Sequence, residues 1–446
     1  MNYKFISKLQ VKRIKKIEKS FEFLVKKTNN SNFFFWYHNI SRLDFVPLAG
    51  LNCKDFLILK KNNLLFLKNF LKDLIKIFKF SLLSSTKKKN KFKKIILIYE
   101  SVLLNNIKAK NFYFKKIFNK NDCSEIVLTA SRIEDRNQFP IYNFINFADC
   151  LKCFFLTLKS FFYLYFLINS VFKSNKVMRD FWIKLYFMKE SFFGTFQCYI
   201  VQKALLRLPD TKRKIIFPYE EKTFERAIAK TKLKLKNTEL YAYVINPRHK
   251  LASYDKNWKN LNIPRANKYF FCGRYYNSVF NKLGRFNDIN YKMNVLGSNK
   301  FKLINLNIKK NNKFLFLLSH ENEFMNFINY ILSNKFLLNY KYIVRDYPNN
   351  PVKNLKKIIC KFNLNKNIFL SKKNNSIIDD CKNVRGVIFS ATSAGIECIN
   401  YGRIGIWSNF SEIGMNPMFD KVKNYFPSIN HLDLQKNLNF ISNLNK

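Results

Sequence analysis

Residues 386–406 read GVIFSATSAGIECINYGRIGI, and this stretch decides the fold. Val387 to Phe389 is a short apolar run of the kind found in buried strands. Residues 390–395 are small or hydroxylated, so backbone N–H groups and hydroxyls can approach an anion closely. Glu397 then falls in a first helical turn, where a carboxylate suits the helix dipole and can reach a ribose hydroxyl. The stretch predicts strand, anion-binding turn, helix and second strand, with an ordinary capped helix as the alternative.

Length and patterning predict two α/β domains. A chain of 446 residues exceeds one compact core, and the polar segment 305–312 is a candidate hinge, which gives domains 1–305 and 306–446. Ile95 to Tyr99 predicts a strand, and strands alternate with helices from Lys214 onward. The predicted strands are 215–217, ending at Pro218, then 240–245, 269–272, 314–318, 342–344 and 368–370. The predicted helices are 221–233, 276–283, 321–334, 351–362 and 377–381, and the ligand is expected between the two domains.

Arg345 closes the predicted strand 342–344. Ligands of parallel α/β sheets bind at the carboxyl ends of the strands, so Arg345 is placed to bind a diphosphate through its bidentate fork. A surface arginine in a cation-rich chain is the alternative interpretation. In the other domain, Glu221 and Glu225 are four residues apart on a predicted helix, where like charges repel. Arg226, Lys222 or a ligand would offset that repulsion, unless the pair is simply solvated.

The balance of 80 Lys and Arg against 29 Asp and Glu gives a net charge of +51. The basic residues are spread along the chain beside abundant Asn, Ile and Phe, and this pattern favours compositional drift as the origin of the charge. The main function expected of such a charge is attraction to anionic lipid. The sequence contains no zinc finger, helix-turn-helix or RNA-binding aromatic motif. Nucleic acid is therefore not an expected partner.

Nine scattered cysteines and no apparent signal peptide favour free thiols in a reducing cytoplasm. Cys150 and Cys153 form a lone CxxC pair that we interpret as core packing. The apolar segment 151–172 is interrupted by Lys152 and Lys159, which favours a buried or interfacial helix over a membrane span. The chain lacks GxGxxG, GxxxxGK[ST], HExxH and GxSxG motifs and has only four histidines, so neither a metal nor a bound cofactor is expected.

Several stretches resemble bacterial surface carbohydrate biosynthesis proteins, which are similar to GT-B glycosyltransferases. The resemblance covers about residues 30–420 and rests on Phe34-Phe35-Trp36 with Ser41, Lys189 to Thr195, Leu208-Pro209, Tyr219 to Ala227, Ile263-Pro264, Cys272-Gly273 and Ser390 to Gly402. It implies two Rossmann-like domains whose parallel sheets face each other across a cleft, with extra N-terminal helices. It also implies an acceptor-side N-terminal domain and a C-terminal domain that binds the nucleotide sugar.

The resemblance implies sugar transfer from a nucleotide-sugar donor to a glycan or lipid-linked acceptor, on the path to O-antigen, lipopolysaccharide or capsule. The protein would work in the cytoplasm, with peripheral contact at the inner face of an anionic membrane. Donor-binding roles fall to Arg345, Ser390, Thr392, Ser393, Ala394, Gly395 and Glu397, and Glu220 or Glu225 is the general base.

This chain departs from the family pattern at three places. It has Glu220-Glu221-Lys222 before Phe224-Glu225-Arg226, where the family usually carries Glu-Asn-Gln before Trp-Glu-Arg. Asn246 and Tyr347 stand where related transferases tend to carry histidine. Two alternatives therefore remain open, a non-catalytic assembly or acceptor-binding protein and a nucleotide-sugar 2-epimerase.

Overall fold

The computed structural model divides the chain into two compact units between residues 299 and 300. The residues that it describes are 23, 63–84, 92–100, 103–104, 108–109, 114, 118, 122–129, 138–176, 178–180, 182–183, 191–209, 211–219, 223–232, 234–244, 266–272, 294–296, 304, 306–307, 311–318, 321–346, 352, 354–372, 374–390, 392, 394–408, 410, 425–428 and 431–444.

The described part of the N-terminal unit contains nine strands, four helices with defined bounds, and further helical residues at 23, 176, 178–180 and 182–183. The helices are α1 (Asn63–Leu83), α2 (Phe147–Val171), α3 (Ser191–Leu206) and α4 (Thr223–Thr231). The strands are β1 (Ile95–Glu100), β2 (Leu103–Leu104), β3 (Lys108–Ala109), β4 (Cys123–Leu128), β5 (Gln138–Pro140), β6 (Arg213–Tyr219), β7 (Thr238–Val244), β8 (Lys268–Phe271) and β9 (Asn294–Val295). A short 3-10 helix, Ile141–Phe144, follows β5.

Seven of these strands form one parallel sheet in the order β5-β4-β1-β6-β7-β8-β9, while β2 and β3 pair separately as a small antiparallel ribbon. The chain builds outward from β1 to β4 and β5, then returns to the other side of β1 with β6. The pairing of Ile95 with both Cys123 and Lys214 fixes this arrangement. The sheet therefore reverses its strand order between β1 and β6, and ligands of such folds bind at the carboxyl ends beside that reversal.

Helix α3 packs against α1, α2 and α4. Helix α2 begins with a capping box, in which the Asn146 side chain accepts from the Asp149 N–H and the Asp149 carboxylate accepts from the Asn146 N–H. Asp149 also pairs with Arg207 at 2.5 Å just beyond α3. On α1, the Asp73 carboxylate accepts from the Phe193 N–H at 3.1 Å. Buried carboxylates thus fix the starts of two of these helices.

The C-terminal unit contains six strands and five helices in its described part. The strands are β10 (Lys313–Leu317), β11 (Lys341–Arg345), β12 (Ile368–Leu370), β13 (Gly386–Phe389), β14 (Ile404–Ser408) and β15 (Tyr425–Ser428). The helices are α5 (Glu321–Ser333), α6 (Leu355–Lys361), α7 (Ile377–Lys382), α8 (Ala394–Asn400) and α9 (His431–Asn443), with a 3-10 helix at Lys335–Asn339.

All six strands are parallel, in the order β12-β11-β10-β13-β14-β15. This sheet reverses its strand order between β10 and β13. Two buried clusters line the sheet, one including Phe314, Phe316 and Ile388 and the other including Leu315, Val387 and Phe389. Because neighbouring residues of one strand belong to opposite clusters, the sheet is covered on both faces, which is why its strands read as continuous apolar runs.

The predicted fold class is confirmed, since each unit is a parallel α/β sheet with helices. Of the extra N-terminal helices, the structure describes only Phe23 among residues 1–62, and this residue is helical. The predicted helix 276–283 lies outside the described residues. Strands 240–245, 314–318, 342–344 and 368–370 were placed within one or two residues of their observed bounds.

Three sequence predictions need correction. The N-terminal sheet contains β4 and β5, which lie well before Lys214 and were not predicted. Strand β6 runs through Pro218 to Tyr219, where it pairs with β7. Proline is tolerated there because β1 pairs with β6 only as far as Ile216, so no hydrogen bond from residue 218 to β1 is required. The helix predicted from Pro351 begins at Leu355, after the Val352 N–H has donated to the Asp346 carboxylate at 2.8 Å.

Candidate functional site

The turn that follows β13 begins with a buried serine. Ser390 is inaccessible to solvent, and its carbonyl oxygen accepts from the indole Nε1 of Trp407 on β14 at 3.0 Å. The structure thus places Ser390 at the predicted position, where it anchors the turn to the neighbouring strand. Ala391 and Ser393 lie outside the described residues.

Thr392 caps the start of α8. Its Oγ1 accepts from the Ala394 N–H at 3.2 Å, and its carbonyl oxygen accepts from the Gly395 N–H at 3.3 Å. Ala394 and Gly395 are the residues whose N–H groups the sequence assigned to a phosphate. In this structure those N–H groups are held by Thr392, whose half-buried side chain marks the point where an anion would compete for them.

Gly395 packs directly on the last residue of β13. A Cβ built at this position would overlap the Phe389 ring, so only glycine allows α8 to lie this close to the sheet. The glycine of the predicted anion-binding turn therefore has a packing role. That close approach is what brings the start of α8 to the carboxyl end of β13.

Glu397 lies in the first turn of α8 and is half-buried. Its Oε1 accepts from the Tyr401 hydroxyl at 2.8 Å, one helical turn further on. Burial, and then the hydrogen bond to this carboxylate, raise the pKa of Tyr401 well above its usual range. Tyr401 is therefore a protonated donor that fixes the orientation of the Glu397 carboxylate.

Arg345 is the last residue of β11, as predicted, and its guanidinium is held by hydrogen bonds to residues that follow β12. Nη1 donates to the Asp380 carboxylate at 2.5 Å and to the Asn375 carbonyl oxygen at 3.1 Å. Asp380 is buried on α7, where it also accepts from Ser371 Oγ and Asn375 Nδ2, each at 2.7 Å. Four hydrogen bonds therefore set the position of one cation at the carboxyl edge of the sheet.

Strand register places Arg345 and the Ser390 turn on the same edge. Leu317 on β10 pairs with Arg345 on one side and with Phe389 on the other. Two strand spacings separate Arg345 from Phe389, which is roughly 10 Å between their backbones. The cation and the hydroxylated turn thus flank the point where the sheet reverses its order.

Helix α7, which carries Asp380, is fixed by its own cap. The Ser376 Oγ accepts from the Asp379 N–H, and the Asp379 carboxylate accepts from the Ser376 N–H. Hydrogen bonds from Ser376 and Lys382 lower the pKa of Asp379 to about 2. Cys381 on α7 lies 3.2 Å from Cys398 on α8, sulfur to sulfur, so the two helices of the site pack directly together.

In the N-terminal unit, Glu225 lies in the first turn of α4 and is buried, with 1% of its surface exposed. The neighbouring Arg226 donates through Nη2 to the Tyr219 hydroxyl at 3.2 Å at the end of β6. Glu220 and Glu221 lie outside the described residues, as do Asn246 and Tyr347. Of the two candidate bases, the structure describes only Glu225.

Sequence reasoning missed two polar clusters. One is the Asp380 group that holds Arg345. The other joins three strands of the N-terminal sheet, where Tyr99 Oη donates to Glu125 Oε2 at 2.6 Å and Gln138 Nε2 donates to the same oxygen at 2.8 Å. A single polar residue within an otherwise apolar strand, such as Glu125 in β4, is the sequence signal that could have indicated the second cluster.

An apolar cavity of about 220 Å³ lies at the carboxyl end of β4. The residues that line it include Lys76 and Phe80 of α1, Phe196 and Gln197 of α3, and Thr129. The shape can hold a small apolar group with one or two polar contacts.

Cys150 and Cys153 are buried on α2, which confirms core packing for the CxxC pair. No cluster of three or more His, Cys, Asp or Glu side chains occurs among the described residues.

One described helix, α2, is long and apolar enough to cross a membrane, with a third of its most apolar stretch buried inside the protein. Its buried face packs on α3, in agreement with the expectation of a helix that is at least partly buried.

No protein-family model matches the chain, and no curated protein sequence matches it. Among solved structures, S. aureus TarM in complex with UDP is similar over 55% of this chain and 52% of its own, with 14% identity and a TM-score of 0.37. This chain therefore spans about half the length of TarM.

Two structures described as UDP-GlcNAc 2-epimerases are also similar. That of Methanocaldococcus jannaschii matches 56% of this chain and 74% of its own, with 14% identity and a TM-score of 0.36. That of Listeria monocytogenes matches 78% of this chain and 88% of its own, with 9% identity and a TM-score of 0.41. The strand order and register of the two sheets define the fold of this chain.

Proposed function

We propose that this protein transfers a sugar from a nucleotide-sugar donor during the biosynthesis of a surface polysaccharide such as O-antigen, lipopolysaccharide or capsule. One observation carries the proposal. Arg345 and the Ser390 turn flank the strand-order reversal of a parallel sheet, on the edge where such sheets bind nucleotides. The resemblance of residues 390–402 to the surface carbohydrate proteins supplies the ligand class.

The donor would bind through its diphosphate and ribose. The Arg345 guanidinium, held by Asp380, offers a fixed cation to the phosphates. A phosphate oxygen would replace Thr392 Oγ1 as the acceptor for the Ala394 N–H and would accept from the released Thr392 hydroxyl, with Ser390, Ser393 and Gly395 completing the turn. The Tyr401 hydroxyl occupies one oxygen of Glu397, and the other would accept from a ribose hydroxyl.

In the transfer step, the acceptor hydroxyl gives its proton to a carboxylate while its oxygen bonds to the anomeric carbon. The bond from that carbon to the diphosphate breaks, and the leaving group departs with the negative charge. Fixed N–H groups and Arg345 stabilise that charge without a metal ion. Glu220 directly follows the last residue of β6 in the sequence and is the better base, because Glu225 is buried.

The acceptor would be a glycan or a lipid-linked saccharide bound by the N-terminal unit. The apolar cavity beside α1 suits an aliphatic part of such an acceptor. We place the protein in the cytoplasm, peripheral to the inner face of the cytoplasmic membrane.

Donor binding is tested by a thermal-shift screen across UDP, GDP, CMP, CDP and dTDP compounds. We expect one nucleotide series to raise the Tm, and Thr392→Val to weaken that effect. Ser333→Ala, which removes an exposed hydroxyl bonded to Tyr330 in the same unit, is the matched control. If no compound shifts the Tm at millimolar concentration, the donor site does not exist.

Turnover is tested by slow hydrolysis of the bound nucleotide sugar without acceptor. Glu220→Gln should lower sugar transfer and leave donor binding intact. A product epimerised at C2 would point to an epimerase, and binding without turnover would point to an assembly protein.

A further inference from the structure

The outer face of α2 is apolar where a surface helix is normally polar. Phe147, Leu151, Phe155, Phe162 and Phe166 are all exposed, with Phe166 at 66%. At 100° per residue these five side chains fall within about 100° of the helix circumference and extend over about 28 Å of its axis. They form a continuous apolar stripe.

The opposite face of α2 is already used. Cys153, Ser160, Leu164 and Ile168 are buried there, and the helix packs on α3. A membrane-spanning arrangement would tear this face away and expose the ion pair between Asp149 and Arg207. The apolar stripe can therefore contact a membrane or a partner only while the opposite face of α2 stays packed against α3.

Helix α1, which contacts α2, repeats the arrangement. Leu71, Ile75, Phe78 and Leu82 are exposed on one side of it, and Phe78 and Leu82 are more than 60% exposed. Two neighbouring helices of one unit thus carry unpaired apolar stripes. Exposed apolar surface of this extent marks a binding surface.

The charges on these two helices identify the occupant. Their exposed charged residues are all lysines, namely Lys68, Lys72 and Lys79 on α1 and Lys152 and Lys159 on α2. Their only carboxylates, Asp73 and Asp149, are both buried. An apolar stripe bordered by cations alone is complementary to the headgroups and acyl chains of an anionic lipid surface.

We propose that α1 and α2 form an in-plane membrane-docking surface, in which the stripe side chains enter the acyl boundary and the five lysines contact anionic headgroups. Long lysine stems can reach the headgroups while the stripe is buried. The surface specifies the peripheral placement put forward above, but lipid binding requires no donor, acceptor or sugar transfer.

The test is flotation of the full-length protein with vesicles of phosphatidylcholine alone or mixed with phosphatidylglycerol. We expect binding to the anionic vesicles that weakens with added salt, and little binding to the neutral ones. Phe162→Ser with Phe166→Ser should abolish binding, and Lys152→Gln with Lys159→Gln should lower it by about fivefold per lysine.

Matched controls come from the other unit. Leu432→Ser with Phe440→Ser removes two exposed apolar side chains from α9, and Lys356→Gln with Lys357→Gln removes two exposed lysines from α6. Both should leave vesicle binding unchanged. Circular dichroism of each variant establishes that it is folded.

The depth to which residue 166 enters the bilayer is measured with Phe166→Trp. The fluorescence of the added tryptophan should shift to the blue on anionic vesicles and be quenched by brominated acyl chains. Phe440→Trp should show neither effect. Equal binding of the serine variant and the parent protein overturns the proposal. So does a parent protein that stays off anionic vesicles, or one that self-associates through the stripe and becomes monomeric in the serine variant.

Vesicle binding and nucleotide binding are measured separately. A protein that binds vesicles but shifts its Tm with no nucleotide would retain the docking surface and lose the proposed donor site.

Discussion

The guanidinium of Arg345 and the carboxylate of Asp380 meet at 2.5 Å, although 35 residues separate them in the chain. Arg345 ends β11, and Asp380 lies on α7 with 3% of its surface exposed. Since Ser371 and Asn375 also donate to this carboxylate, its charge is well satisfied. The arginine is held in one orientation before any anion arrives.

This pair predicts how nucleotide binding responds to substitution. Arg345→Lys should weaken binding of the nucleoside diphosphate by tenfold or more, since a lysine cannot reproduce a planar fork. Asp380→Asn should also weaken it, because the fork loses its ionic support. Titration calorimetry measures both, with Lys341→Ala at the other end of β11 as control. Unchanged affinity in Arg345→Lys would remove Arg345 from the site.

The contact between Gly395 and Phe389 predicts a rescue. Gly395→Ala should lower the free energy of unfolding by about 1–3 kcal/mol, because the new methyl overlaps the Phe389 ring. Adding Phe389→Leu should recover part of the loss by making room. Denaturant unfolding measures the three variants. If the double variant loses the sum of the two single losses, the two residues are not in packing contact.

The bond from the Trp407 indole to the Ser390 carbonyl links β14 to the turn. Trp407→Phe removes that donor and leaves a buried carbonyl oxygen without it, which should cost about 1–3 kcal/mol of stability. We also expect weaker nucleotide binding, since the turn loses its anchor. Trp182→Phe, the control in the same melting experiment, changes a buried tryptophan of the N-terminal unit and should leave nucleotide affinity unchanged. Loss of stability with full affinity would separate the anchor from the site.

Acid should loosen α7. The hydrogen bonds that the Asp379 carboxylate accepts from Ser376 and Lys382 lower its pKa to about 2, from an ordinary value of 3.8. A depressed carboxyl pKa stabilises the fold above the unfolded value, and that contribution is lost as pH falls from about 4 to 2. Asp379→Asn should therefore melt below the parent protein at pH 6, with the gap narrowing towards pH 2. A gap in Tm that stays constant between pH 6 and pH 2 would contradict this account.

Much of the C-terminal sheet could be predicted because its strands are covered on both faces. Runs such as Phe314 to Leu317 must then be apolar at every position, which makes them conspicuous. Strand β4 was not predicted, because Ser124 and Glu125 interrupt the apolar run that would have marked it as a buried strand. Glu125 is tolerated there because Tyr99 and Gln138 hydrogen-bond it across two strands, a circumstance that no local pattern records.

The candidate site divides along similar lines. The positions of Arg345 and Ser390 follow from strand ends, which the sequence marks clearly. The partner of Arg345 does not, because the strand order decides which helix lies beneath it. Nor could the pattern show that Thr392 would hold the N–H groups of Ala394 and Gly395, since a hydroxyl and an incoming anion compete for the same donors.

The order of strands in the C-terminal sheet also bears on how the chain is made. Strand β10 is completed on one side by β11 but on the other only by β13, after both β11 and β12 have been synthesised. A nascent chain on the ribosome therefore presents the inner edge of β10 as an unpaired, apolar strand until Gly386 to Phe389 emerge. Translation that stops before this point would release a polypeptide with an open sheet edge, a natural substrate for chaperones and proteases.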